Sequence, residues 1–120
     1  MGEDSVERDV SLLLDMKLAA EDALSFVADI DKTAFTRSRL HQNAVIRSLE
    51  VIGEAAGKIS AKFVVRHPQV PWREVTSLRH RLIHGYAEVR LDIVWDVTQD
   101  RLPALLKILG PLIPPENDKI

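Results

Sequence analysis

The segment Arg79-His80-Arg81-Leu82-Ile83-His84-Gly85-Tyr86 holds the residues of this chain best equipped for chemistry. An arginine guanidinium can grip a phosphate through two hydrogen bonds. A histidine can take up or release a proton near neutral pH. A tyrosine hydroxyl can act as a nucleophile or receive a modifying group. RNA brings its own nucleophile, the 2′-hydroxyl. A histidine that removes that proton, or protonates the leaving oxygen, contributes about 10²–10⁴-fold. An arginine can stabilise the extra negative charge on phosphorus in the transition state. Such a pair needs no metal. Its products would be a 2′,3′-cyclic phosphate and a 5′-hydroxyl, and DNA would survive.

Spacing alone does not decide between this chemistry and a structural role. Arg79 and His84 are five apart, which on a straight helix is about 500°, or roughly 140° round the axis. Gly85 predicts that the helix fails there, so His84 could turn toward Arg79. A second copy of the chain could also complete the pocket. The plainer alternative is a surface arginine followed by a histidine that caps the helix. His80 and His84 are four apart, like paired metal ligands on a helix. Arg81 stands where a metalloprotease has glutamate, however, and Arg79 adds positive charge, so no metal and no cofactor is expected.

The elements that must position these residues are helical. Asp4 predicts an N-cap with Glu7 three residues on. Val6, Val10, Leu13, Leu14, Ala20, Leu24 and Val27 then recur at helical spacing, giving a first helix from Ser5 to Asp29. A second helix starts near Thr33 or Thr36 and reaches Phe63, with Leu40, Ala44, Val45, Leu49, Ile52, Ala56 and Ile59 as its apolar row. Gly53 and Gly57 inside it suggest close approach of a neighbouring helix, since glycine otherwise weakens a helix interior. Pro71 is placed to begin a third helix carrying Trp72, Val75, Leu78 and Leu82. Residues 86–90 read as a loop. Asp92 is placed to cap a fourth helix with Ile93, Val94, Val97, Leu102, Leu105, Leu106 and Leu109 inward, kinked or divided at Pro103. No strand-like alternation of useful length occurs. The expected fold is all-α, an up-and-down four-helix bundle in one domain over 1–110, with a short flexible tail over 111–120. Trp72 and Trp95 are expected in the core or at an interface, and His41 and His67 at the surface or in turns. Arg47 and Glu54 either reach the cleft or pair between helices.

Composition limits the setting. At 120 residues the chain suits one core, and 46 % hydrophobic residues suffice to form it. No run of about 18 apolar residues occurs, so no membrane span is expected. The acidic, polar start argues against a secretory signal. There are no cysteines, which excludes disulfides and thiolate chemistry and fits a cytoplasmic location. The net charge of -2 does not advertise nucleic-acid binding. Its distribution is uneven. Residues 3–31 carry nine acids, read as a solvated face, whereas 66–90 carry Arg66, Arg73, Arg79, Arg81 and Arg90 against Glu74 and Glu88. A local basic patch is enough to hold a phosphate.

The segment from Arg79 to Tyr86 resembles the R-x(4)-H-x-Y signature of HepT-like toxins of the HEPN superfamily. Asn43-Ala44-Val45-Ile46-Arg47 and Ile52-Gly53-Glu54-Ala55 look like that family's second helix. Leu91-Asp92-Ile93-Val94-Trp95 and Leu102-Pro103 look like its last. The resemblance implies a four-helix bundle that forms a homodimer, with the two motifs meeting in a cleft. It implies a metal-independent endoribonuclease and toxin, in which Arg79 and His84 are catalytic. It also implies a minimal nucleotidyltransferase (MNT) antitoxin that transfers AMP from ATP onto Tyr86 and silences the site. An AMP there would add bulk and charge beside Arg79 and compete with RNA phosphate. His80 stands where the family pattern has a small polar residue, most often asparagine. It keeps hydrogen-bonding capacity and is a candidate auxiliary proton carrier. The alternative reading, motivated by His80 and the lack of a broad basic surface, is a catalytically silent bundle that binds nucleotide, RNA or a nucleotidyltransferase.

Overall fold

Helix α1 (Gly2–Val27) puts Leu13, Met16, Ala20, Ala23 and Val27 on one buried stripe. Each large side chain so buried stabilises the fold by about 1.5–3 kcal/mol relative to exposure. The computed structural model describes the backbone of residues 2–84 and 90–115, and the side-chain surroundings of residues 5–78 and 90–115. The expected helix stop at Gly85, the loop after it, Tyr86 and the chain beyond 115 lie outside the described residues. So do the side chains of Arg79 to His84.

The described chain is all-helical, with no strand, and forms a bundle of four helical arms. Arm one is α1. It begins at Gly2, so Asp4 lies inside the helix instead of capping it. No proline or cap geometry interrupts the chain there, and a propensity signal places an end only loosely. Val6, counted with the inward row, is 61 % exposed.

The second arm is divided where one helix was expected. Asp31 caps the short α2 (Lys32–Arg37) by accepting from the Ala34 N–H at 2.8 Å. Ser38 is extended (φ -116, ψ 104) and ends it. The Ser38 hydroxyl then accepts from the His41 N–H and caps α3 (Arg39–Gly57). Gln42 Nε2 donates to the Phe35 carbonyl across the break at 2.9 Å. At the other end Ser60 caps α4 (Ala61–Arg66) through the Phe63 N–H. These breaks replace the continuous helix because serine hydroxyls satisfy backbone donors that an unbroken helix would satisfy internally. Gly57 faces open space and closes α3, so close approach is not its role. Gly53 is buried. Leu40, expected inward, is 76 % exposed.

The third arm is α5 (Trp72–His84), one residue after the predicted Pro71 start. The fourth comprises α6 (Leu91–Asp96), a π-helical turn over Val97–Arg101, and α7 (Leu102–Leu109). The irregularity expected at Pro103 falls in the turn just before it. Proline has no N–H, and its ring crowds the carbonyl four residues back. Widening the turn relieves both problems: the Leu102 N–H reaches the Val97 carbonyl, five residues back. Buried Thr98 donates to the Trp95 carbonyl at 2.6 Å in the same turn. Asp92 does not cap α6. Arg90 occupies the cap position without a side-chain hydrogen bond, and Asp92 lies in the first turn. Ile93 remains 39 % exposed. A 3-10 turn over Gly110–Leu112 follows, and Ile113 is buried in the core.

Arm α1 packs along α3, α3 along α5, and α7 returns onto α1, while α6 covers α2 and α3. Phe35, Val45, Leu49, Ile52, Leu102 and Leu109 fill the centre. One tie spans distant sequence. Buried Asp9 of α1 accepts from the Ser60 N–H (2.9 Å) and hydroxyl (2.6 Å), fixing the α3–α4 corner. It is thus an exception to the solvated acidic face, which Glu7, Asp15, Glu21, Asp22, Asp29 and Asp31 do form.

Candidate functional site

Arg79, His80 and His84 lie in the last turns of α5, so the start of that helix sets their backbone position. Trp72 Nε1 donates to the His67 carbonyl at 2.9 Å. Its ring meets Phe63 of α4 edge-on, with centroids 6.1 Å apart. Val75 is buried, and Leu78 packs against the core. Glu74 pairs with Arg101, tying α5 to the fourth arm. His67 ends α4 at a turn, as expected of it.

From this anchor α5 packs along α3, and a connection made of only the short α4 and its turns suits an antiparallel course. The backbone is helical from Arg79 through His84. The unwinding expected from Gly85 onward lies outside the described residues. Arg79 and His84 stand about 7.5 Å apart along the axis and roughly 140° around it.

The next described residue is Arg90. Its Nε and one terminal nitrogen donate to the two Asp92 oxygens at 3.2 and 3.0 Å. That hydrogen-bonded fork holds the Asp92 carboxyl below the usual carboxylate range and raises Arg90 further. Arg90 is thus partly neutralised at the surface.

Two side chains considered for the cleft have described surroundings of their own. Arg47 lines a groove of about 440 Å³ between α1 and α3, with Leu18, Asp22 and Phe26. Glu54 pairs within its own helix, with Lys58 at 3.4 Å, instead of bridging two helices. Trp95 stacks obliquely on Phe35, with centroids 5.5 Å apart, and so joins α6 to α2. The role of Asp9 escaped sequence reasoning, since nothing local distinguishes it from its solvated neighbours.

The chain matches the Ribonuclease HepT-like family over residues 16–112. It belongs to that family. It is 38 % identical over 93 residues to a Thermococcus cleftensis protein named "Probable ribonuclease HepT", covering 78 % of this chain and 84 % of that one. Two proteins of Methanocaldococcus jannaschii are similar as well. One, named "Putative RNase MJ0127", is 36 % identical over 103 residues, covering 86 % of this chain and 85 % of its own. The other, "Putative RNase MJ1380", is 37 % identical over 102 residues, covering 84 % and 94 %. No solved structure gives a significant match.

Proposed function

We propose that this protein is a metal-independent endoribonuclease in which Arg79 and His84 carry the reaction. Membership of the HepT-like ribonuclease family is the observation that carries this reading. The R-x(4)-H-x-Y spacing at the end of α5 supports the residue roles. The 2′-oxygen attacks the adjacent phosphorus and loses its proton. The bond to the 5′-oxygen breaks, and that oxygen gains a proton. His84 moves the proton at one of these two positions. Arg79 holds the charge gathering on the phosphoryl oxygens. His80 serves as an auxiliary hydrogen-bonding group.

The helical register through His84 favours a homodimeric site. If Arg79 and His84 point about 140° apart in one copy, a second motif supplies the missing partner across a shared cleft. The chain then acts as the toxin of an HEPN/MNT pair. The Tyr86 oxygen attacks the α-phosphorus of ATP, pyrophosphate leaves, and the hydroxyl proton is released. The resulting AMP ester blocks the cleft.

The test is RNA cleavage by purified, AMP-free protein in excess EDTA, beside His84→Ala, with intact mass recorded on both. Cleavage that persists in EDTA and vanishes in the variant is the expected result. Intact RNA with protein of verified unmodified mass would instead support the silent binding bundle.

A further inference from the structure

We propose that Arg37, Arg39 and His41, at the break between α2 and α3, form a strip that holds RNA phosphates beside the cleavage centre. This rests on the ribonuclease reading and names the part of the chain that positions its substrate.

Chain topology brings the strip to the correct end of the bundle. Helix α5 starts beside α4 and packs on α3, and an antiparallel course along α3 takes it toward the start of that helix. Helix α6 begins seven residues after His84, within about 25 Å even at full extension. It packs on α2 and α3, where Trp95 meets Phe35. Both connections are compatible with a motif helix that ends toward the start of α3 and the start of α6.

The break itself is firmly built. Phe35 is fully buried beneath it. The Ser38 cap and the Gln42 bond to the Phe35 carbonyl fix its backbone. Arg37 and Arg39 flank Ser38 and are exposed, and neither has an ion pair or side-chain hydrogen bond among the described residues. By contrast, Arg90 is taken by Asp92 and Arg101 by Glu74. The nearest carboxylate on α2, Asp31, is occupied in capping at the opposite end of that helix. Two guanidinium groups without a described partner, across one residue, suit successive phosphates of a flexible single strand.

His41 adds a donor. Its Nδ1 lies 2.6 Å from the Ser38 oxygen. That hydroxyl accepts from the His41 backbone N–H and can give its own proton to Nδ1. The ring proton of neutral His41 then resides on Nε2, which has no partner among the described residues and can donate to a phosphate oxygen. Between the two polar groups stands Leu40, 76 % exposed. A strand held by Arg39 and His41 would cover it with a sugar or base.

The experiment compares Arg37→Glu/Arg39→Glu with a charge-matched control on α4, Lys62→Glu/Arg66→Glu, in full-length, AMP-free protein. A fluorescent single-stranded RNA is titrated by anisotropy and its cleavage is timed. The strip predicts a Kd and KM raised at least about tenfold by the first pair, with kcat within about twofold. It also predicts a salt slope of log K smaller by roughly 1.4, since each single-strand phosphate contact contributes about 0.7. The control should change affinity less than about twofold. Arg37→Gln/Arg39→Gln serves if the reversal impairs folding, and should show the same split. Equal losses in strip and control variants, or no loss in the strip variants, would overturn the proposal. If wild type binds RNA through the strip yet never cuts it, the ribonuclease reading fails alone. If it cuts with KM unaffected by the strip, the strip fails alone.

Discussion

Helices α3 and α5 are neighbours held in opposite ways. Helix α3 is gripped on several sides, by α1, α2, α5 and α6, and buries Val45, Leu49, Ile52, Ala55 and Ala56. Helix α5 rests chiefly on α3, and among its described residues Val75 is buried while Trp72 and Leu78 are half-exposed. One helix supplies stability and the other carries the candidate chemistry. On the proposed reading α5 presents a surface to RNA, and a surface that admits a polymer cannot also be sealed in a core.

The comparison predicts that mutations in the two helices separate stability from activity. His84→Ala should reduce RNA cleavage by about 10²–10⁴-fold while leaving the melting temperature unchanged. An assay of rate and thermal denaturation on the same sample checks this, and a large loss of stability would erase the distinction. Leu49→Ala is the counterpart. Leu49 is 1 % exposed, so truncation should cost about 2–5 kcal/mol. Below the unfolding transition, the rate per folded molecule should stay near wild type. Urea titration measures the first quantity, and a fall in folded-state rate as large as that of His84→Ala would contradict the second.

Asp9→Ala sharpens the comparison at the corner from which α5 is launched. It removes the acceptor for both the Ser60 N–H and hydroxyl, a loss of about 1–3 kcal/mol. Asp15→Ala, on the exposed acidic face of the same helix, should change stability by less than about 0.5 kcal/mol. Urea midpoints of the two variants separate these outcomes; equal losses would mean that the Asp9 contacts contribute nothing special.

The four arms were legible because apolar residues recur with the helical period, from Leu13, Ala20 and Val27 in α1 to Leu102, Leu105 and Leu109 in α7. The breaks were not. Ser38 and Ser60 act through single hydrogen bonds to backbone N–H groups, and such bonds leave no periodic trace. Asp9 was unreadable for a different reason: its partner lies 51 residues away. Val6 and Ile93 obey the period yet stay exposed, because a stripe continues beyond the neighbour that covers it. In the site, residue types and placement at the end of α5 were readable. A helical backbone through His84 is compatible with a stop at Gly85, since glycine marks the residue after a helix.

The smallest expected effect concerns Arg90 and Asp92, where the described chain resumes after the motif. Their bidentate pair is wholly at the surface, so solvent and salt weaken it. The Arg90 hydrogen bonds lower the Asp92 pKa in the folded state. A carboxylate lowered in this way contributes stability above its unfolded value, and the contribution disappears as pH falls through the lower folded value. Asp92→Asn should therefore melt slightly earlier than wild type at pH 7, with the difference closing under acid and at high salt. Thermal melts of both proteins from pH 7 down to pH 3 measure it. A gap that persists at pH 3 would assign the effect to packing or helix-start geometry instead of charge. A gap approaching that of Asp9→Ala would mean that the start of α6 is held far more firmly than a surface pair allows, and the contrast between a gripped α3 and the elements around it would then need redrawing.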